Sequence, residues 1–146
     1  MSIERVGVVG AGQMGTGIAH VLSLAGFDVV LEDINQEALD KSQQRIERNM
    51  HRQAARGYIK EDEIAPALAR IRKSQSLDDM KDRDLIIEAA TEDEPTKRKI
   101  FQDLCTRISD KTLLATNTSS ISVTRLAAAT DRPEHFIGLH FMNPVP

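Results

Sequence analysis

Apolar runs and amphipathic stretches alternate along the whole chain, the order expected of parallel strands joined by crossover helices. Val6, Val8 and Val9 form a β-branched run that predicts a buried strand, halted at Gly10 where strand propensity collapses. Ile18 to Ala25 reads as a helix closed by Gly26, and Phe27 to Leu31 as a second strand ending in Glu32 and Asp33. Gln36 to Arg56 predicts a long helix. At about 100° per residue, Leu39, Ile46, Met50 and Ala54 share one of its faces, while Lys41, Arg45, Arg48, Arg52 and Arg56 form a basic stripe on another. Gly57 ends it, Lys60 to Arg70 predicts a second, charged helix, and Ile71 to Ser74 a brief edge strand. Leu85 to Ile87, Leu113 to Ala115 and Phe136 to Phe141 read as further strands. Between them Pro95 opens a helix running to about Ile108, and Val123 to Ala129 forms a short one. The expected fold class is α/β, an open, doubly wound and mostly parallel sheet. No repeat, low-complexity tract or Pro/Gly/Ser linker interrupts it, so residues 1–146 read as one domain.

Composition narrows the function classes. A chain of 146 residues that is 40% hydrophobic can fill one core. Its net charge of -3 gives no positive field for nucleic-acid phosphates, and four Phe, one Tyr and no Trp leave little for base stacking. No run approaches the roughly 18 apolar residues of a membrane span, and MSIERVGVVG lacks the apolar core and cleavage site of a signal peptide. Cys105 is the single cysteine, which rules out an intrachain disulfide and fits a reducing compartment; among Phe101, Leu104 and Ile108 it reads as a small hydrophobe rather than a nucleophile. The expected location is the cytoplasm.

Gly10-Ala11-Gly12-Gln13-Met14-Gly15 fits the G-x-G-x-x-G pattern of a dinucleotide-binding turn, and it leaves a predicted strand and opens a helix. In that context Gly10 makes the tight turn, Gly12 lets backbone N–H groups approach a pyrophosphate, and Gly15 lets the helix pack on the strand. Asp33, 18 residues after Gly15, is placed to accept hydrogen bonds from the adenosine ribose hydroxyls. Its charge would repel a 2′-phosphate, and no arginine follows in Ile34-Asn35, so NAD is expected over NADP. Glu32 is the rival for this role, since alternation puts the two acids on opposite faces of the strand.

Ligands of an open parallel sheet lie outside the carboxyl ends of the strands, which draws attention to Glu88 to Glu92, Asn117-Thr118-Ser119-Ser120 and the segment around His140. A histidine there can take and return an alcohol proton near neutrality. Ser119 and Asn143 can hydrogen-bond a substrate oxygen, although Ser and Asn also cap helices and make turns. His20, His51 and His135 do not cluster at ligand spacing, and no metal is expected.

Four segments together resemble the N-terminal NAD-binding domain of the 3-hydroxyacyl-CoA dehydrogenases. They are Val8 to Gly15 with Gly17-Ile18-Ala19, Ile87-Glu88-Ala89-Ala90, Asn117-Thr118-Ser119-Ser120, and Gly138-Leu139-His140-Phe141-Met142-Asn143-Pro144, within a likeness that runs from Arg5 to Pro146. The resemblance implies a Rossmann-type domain and NAD-dependent oxidation of (S)-3-hydroxyacyl-CoA, such as the 3-hydroxybutyryl thioester, to 3-oxoacyl-CoA or the reverse, in fatty acid or butanoate metabolism. It implies that His140 is the general base, that Ser119 binds substrate oxygen and that Asn143 shapes the pocket. Gly10, Gly12, Gln13, Met14, Gly15, Asp33, Glu92, Lys97 and Asn117 become cofactor contacts, with Glu92 and Lys97 beside the nicotinamide ribose. Lys97 reads equally well as a solvated lysine of Lys97-Arg98-Lys99. Asn49 and Arg56 match positions that contact coenzyme A, and the basic stripe then serves its phosphates.

The family continues past Asn-Pro-Val-Pro into a strand whose glutamate pairs with the histidine, then into a helical domain that completes the substrate site and makes a homodimer. This sequence is therefore expected to lack part of the active site and to bind NAD with little or no turnover of its own. The same fold also suits a dehydrogenase of another hydroxy acid, or a non-catalytic NAD(H)-binding regulatory module.

Overall fold

The computed structural model describes residues 2–117 and 120–139, with only the backbone of 120–122. Six strands form a single sheet: β1 (Arg5–Val9), β2 (Asp28–Glu32), β3 (Ile71–Ser74), β4 (Leu85–Glu88), β5 (Leu113–Asn117) and β6 (Phe136–Leu139). Their order is β3-β2-β1-β4-β5-β6, and every neighbouring pair is parallel. The chain winds outward from β1 in one direction and then restarts at β4 in the other, leaving a crevice at the carboxyl ends of β1 and β4.

Period two along each buried strand sorts the core into two layers. Val6, Val8, Val29, Leu31, Ile87 and Ala115 pack under α1 (Gln13–Leu24), α2 (Gln36–Ala55) and α3 (Ile64–Ala69). Val9, Val30, Ile86 and Leu114 pack under α4 (Glu94–Cys105) and α5 (Ser120–Ala128), whose Phe101, Leu104 and Leu126 close that side. Phe101 meets Phe136 edge to face, with ring centroids 4.8 Å apart, an arrangement worth about 0.5–1.5 kcal/mol beyond its burial.

α2 buries Leu39, Ser42, Ile46 and Met50, close to the face expected from its periodicity, with Ala54 half-buried and the basic stripe exposed. The other expected elements need correction at their ends. α1 begins at Gln13, five residues before Ile18, because Gly15 and Gly17 depress helix propensity and hide its first turns in the sequence. Lys60 to Arg70 is a 3-10 turn at Glu61–Glu63 followed by the short α3, rather than one helix. α4 stops at Cys105 and not near Ile108, α5 starts at Ser120 and not at Val123, and β2 and β4 reach Glu32 and Glu88. For the last strand, Phe141 lies outside the described residues.

The turn between β1 and α1 tolerates no side chain at two of its glycines. Gly10 has φ +107°, and a Cβ there would lie 2.5 Å from Ala90 Cα. A Cβ on Gly15 would lie 1.7 Å from the Gly10 carbonyl oxygen, so α1 sits on the turn backbone to backbone. Gly15→Ala should therefore push α1 off β1 and cost about 1–3 kcal/mol of stability. Urea unfolding of the two proteins checks this, and equal midpoints with equal slopes would mean that the helix shifts freely.

Candidate cofactor site

The glycine turn is held from three sides. Gly10 donates its N–H to the Glu32 carbonyl at 2.7 Å, Ala89 donates to the Val9 carbonyl at 2.8 Å, and the Thr16 hydroxyl donates to the Ala11 carbonyl at 3.2 Å. Thr16 also shares a 2.7 Å hydrogen bond with Ser42, which ties the start of α1 to α2. Gly12 is the N-cap of α1 and provides no side-chain cap, and a Cβ built on it would meet nothing within 4 Å. An exposed helix start with open space before it is the geometry that receives a phosphate group.

Asp33, rather than Glu32, reaches this turn. Its Oδ2 accepts the Ala11 N–H at 2.9 Å and its Oδ1 accepts the Asn35 N–H at 2.9 Å, which fixes the carboxylate at the lip of the crevice. Lone pairs on both oxygens remain for further donors. Gly12, Gln13 and Thr16 form one wall of a cleft of about 440 Å³ whose other wall is Lys41, Arg45 and Arg48 of α2. Arg52 and Arg56 continue the stripe beyond that cleft, with Arg56 capping the end of α2 and Asn49 half-buried along it.

On the opposite face, the strand ends carry a row that is polar except at Val9. Ser74, Glu32, Val9, Glu88 and Thr116 stand side by side in register across β3, β2, β1, β4 and β5. Glu88 is fully buried: its Oε1 accepts from Lys97 Nζ at 2.5 Å and from the Thr116 hydroxyl at 2.7 Å, and its Oε2 from the Ala90 N–H at 2.8 Å. Lys97 is only 1% exposed, so the reading of it as a solvated lysine is wrong: the helical period of α4 turns it inward while Lys99 stays outside. Glu92 is exposed in the loop from β4 to α4, and Met14 and Asn117 are half-buried near the start of α1 and the end of β5. Cys105 is also half-buried, and burial raises its thiol pKa, against a nucleophilic role. Ser119, His140 and Asn143 lie outside the described residues.

The sequence places Glu88 at the start of a polar segment and within the Ile87-Glu88-Ala89-Ala90 resemblance, without a role of its own, and does not single out Thr116. A signal was present, since Glu88 falls two positions after Ile86 on a strand buried on both faces, where a charge needs a partner. It also did not anticipate that Lys41, Arg45 and Arg48 would face the glycine turn.

These features define the class: a dinucleotide-binding domain of Rossmann type, whose glycine turn, open helix start and acidic strand end fit a nicotinamide dinucleotide. Residues 5–146 match the family model described as 3-hydroxyacyl-CoA dehydrogenase, NAD binding domain. The chain belongs to the 3-hydroxyacyl-CoA dehydrogenase family, as its NAD-binding domain. It is 55% identical over 144 residues to the 3-hydroxybutyryl-CoA dehydrogenase of Bradyrhizobium diazoefficiens, covering 99% of this chain and 49% of that protein. The crystal structure of (S)-3-hydroxybutyryl-CoA dehydrogenase from Ralstonia eutropha superposes with a TM-score of 0.95 at 45% identity, over 99% of this chain and 51% of that one. A fatty acid oxidation complex subunit alpha from Acinetobacter baylyi is 38% identical over 143 residues, 98% of this chain and 20% of that subunit. The chain thus spans about half the length of the 3-hydroxybutyryl-CoA dehydrogenases it matches. Among the described residues no helix is long and apolar enough to cross a membrane.

Glu32 gives this edge a pH dependence. Burial, reinforced by the nearby charges of Asp33 and Asp103, raises its carboxyl pKa from 4.5 to about 7. Between those two values the folded chain holds a proton that the unfolded chain has lost, so stability falls as pH rises from 4.5 to about 7. Glu32→Gln, neutral throughout, should leave stability near unchanged in acid and raise it by about 1–3 kcal/mol at neutral pH and above. Denaturation across that range is the measurement, and a mutational difference independent of pH would contradict the assignment.

Proposed function

We propose that this chain is the cofactor half of an enzyme that oxidises (S)-3-hydroxyacyl-CoA to 3-oxoacyl-CoA, or catalyses the reverse, with a short acyl chain such as 3-hydroxybutyryl. The observation that carries the reading is the joining of the glycine turn to Asp33 in one hydrogen-bonded unit, within a chain that resembles this family from end to end. Bound NAD would supply the hydride acceptor. The open start of α1 at Gly12, Gln13 and Met14 would receive its pyrophosphate, Asp33 its adenosine ribose, and Glu92, Lys97 and Asn117 its nicotinamide end. His140 takes the proton of the 3-hydroxyl, Ser119 hydrogen-bonds the substrate oxygen, and Asn143 shapes the pocket, in line with the family resemblance. Asn49 and Arg56 bind coenzyme A, with the stripe of Arg45, Arg48 and Arg52 favouring its phosphates. The reading places the enzyme in the cytoplasm, in fatty acid or butanoate metabolism, as a homodimer, with no nucleic-acid or membrane partner.

Asp33 sets the choice of cofactor on this reading, because it hydrogen-bonds ribose hydroxyls and repels a 2′-phosphate. Calorimetric titration of this chain should give tighter binding of NAD than of NADP, and Asp33→Ala should shrink the gap by about tenfold or more, the worth of hydrogen bonds to a charged group. Equal affinities in the unaltered chain would remove Asp33 from that role.

Catalysis is tested in the whole gene product. His140→Gln should lower kcat on 3-hydroxybutyryl-CoA by about two to four orders of magnitude while NAD binding survives. In the same enzyme Arg56→Ala should raise KM for the coenzyme A thioester more than for a pantetheine thioester that lacks the nucleotide. Turnover of free hydroxy acids in preference to the thioester would favour the rival substrate class, and full function without His140 would favour a binding module.

A further inference from the structure

The Glu88, Lys97 and Thr116 cluster is the one fully buried ion pair among the salt bridges of the described residues, and it lies at the carboxyl edge of the sheet where β4 and β5 end. A pair of this kind is poor evidence for added stability, because withdrawing two charges from water offsets most of their attraction. Its geometry instead joins three parts of the site. Glu88 Oε1 holds Lys97 of α4 and Thr116 of β5, while Oε2 holds the Ala90 amide, in the loop whose backbone lies against Gly10.

The ammonium of Lys97 carries three donors. Among the described residues its oxygen partners are Glu88 Oε1 at 2.5 Å and, weakly, Thr116 Oγ1 at 3.4 Å. At least one donor is therefore left over in a place where an unmet charged donor is costly. The group is held by the carboxylate at the strand ends, where β4 and β5 stop, with a donor to spare. A sugar hydroxyl is an acceptor of the right kind for it.

We propose that Glu88 is a positioning residue for the cofactor. Through Oε1 it fixes the Lys97 ammonium to meet the nicotinamide-side ribose. The proposal rests on the reading that Lys97 contacts that ribose, and the experiment separates the two. Glu88→Gln keeps the shape but removes the charge that holds Lys97, and its single acceptor oxygen cannot serve Lys97, Thr116 and Ala90 together. Gly12 and Asp33, which hold the adenosine side, make no hydrogen bond to Glu88.

This chain is titrated with NAD and with ADP, which lacks the nicotinamide and its ribose. Glu88→Gln should weaken NAD about tenfold, the scale of one hydrogen bond to a charged group, and leave ADP within about twofold. Lys97→Met should show the same selectivity. The double variant, which has no buried charge left unpaired, should bind NAD no more weakly than Lys97→Met alone, since Glu88 acts through Lys97. Should Glu88→Gln fail to fold, Thr116→Val removes one donor to the carboxylate, keeps both charges, and should weaken NAD by about threefold with ADP unchanged. Equal weakening of NAD and ADP in Glu88→Gln or Thr116→Val would make the cluster structural and overturn the proposal. Loss of NAD affinity in Lys97→Met but not in Glu88→Gln would overturn the positioning role alone. Unchanged NAD affinity in Lys97→Met would overturn the ribose reading and the proposal with it.

Discussion

The cofactor edge depends on backbone meeting backbone at Gly10. There the chain leaves β1 with a positive φ, its N–H donates to the end of β2, and its carbonyl lies against Gly15 of α1. The loop after β4 closes the remaining side, since Ala89 and Ala90 occupy the space that a Cβ on Gly10 would need. Three segments distant in sequence therefore converge on atoms with no side chain between them. That contact brings the start of α1, the acidic end of β2 and the loop before α4 within reach of one ligand. It also makes the position of each depend on the others, because a close-packed contact passes displacement on rather than absorbing it.

Sheet register then decides the work of the charged residues around that contact. Strand positions alternate between faces, so Glu32 and Asp33, adjacent in the chain, go to different environments. Asp33 leaves the strand and is pinned to the Ala11 amide at the lip of the crevice. Glu32 falls in the layer of Val30, where burial opposes its ionisation. Glu88 occupies the equivalent layer two strands away but has Lys97 above it and Thr116 beside it. Two glutamates in one row thus differ in character through their neighbours alone: one is held among other acids, and the other is matched to an ammonium.

Much of this was legible in the sequence, and the parts that were not share a cause. Buried strands announced themselves through Val6 to Val9 and Leu85 to Ile87, because parallel strands covered on both faces read as unbroken apolar runs. The long α2 was legible from its period to within a residue. The start of α1 was hidden because Gly15 and Gly17, which packing and the turn require, are poor helix formers. For Lys97, a run of three cations suggested solvent, and only its place on α4 above Glu88 shows it to be inside. Local composition reports what a residue prefers on average, while a buried ion pair exists only once two distant segments meet.

The two faces of the sheet consequently offer a dinucleotide different chemistry along its length. On the side of α1 and α2, the glycine turn and the exposed Lys41, Arg45 and Arg48 share a cleft, giving an open and cationic surface suited to phosphate. On the side of α4, the last row before solvent is polar, tightly bonded and nearly dry, with Glu88, Lys97 and Thr116 committed to one another. The first arrangement can tolerate movement, since attraction between exposed charges falls gently with distance. The second cannot, because each hydrogen bond in a low-dielectric interior is strong when made and costly when broken. A ligand lying across the carboxyl ends from β2 to β5 would meet open, exposed charge at one end and a closely bonded polar cluster at the other.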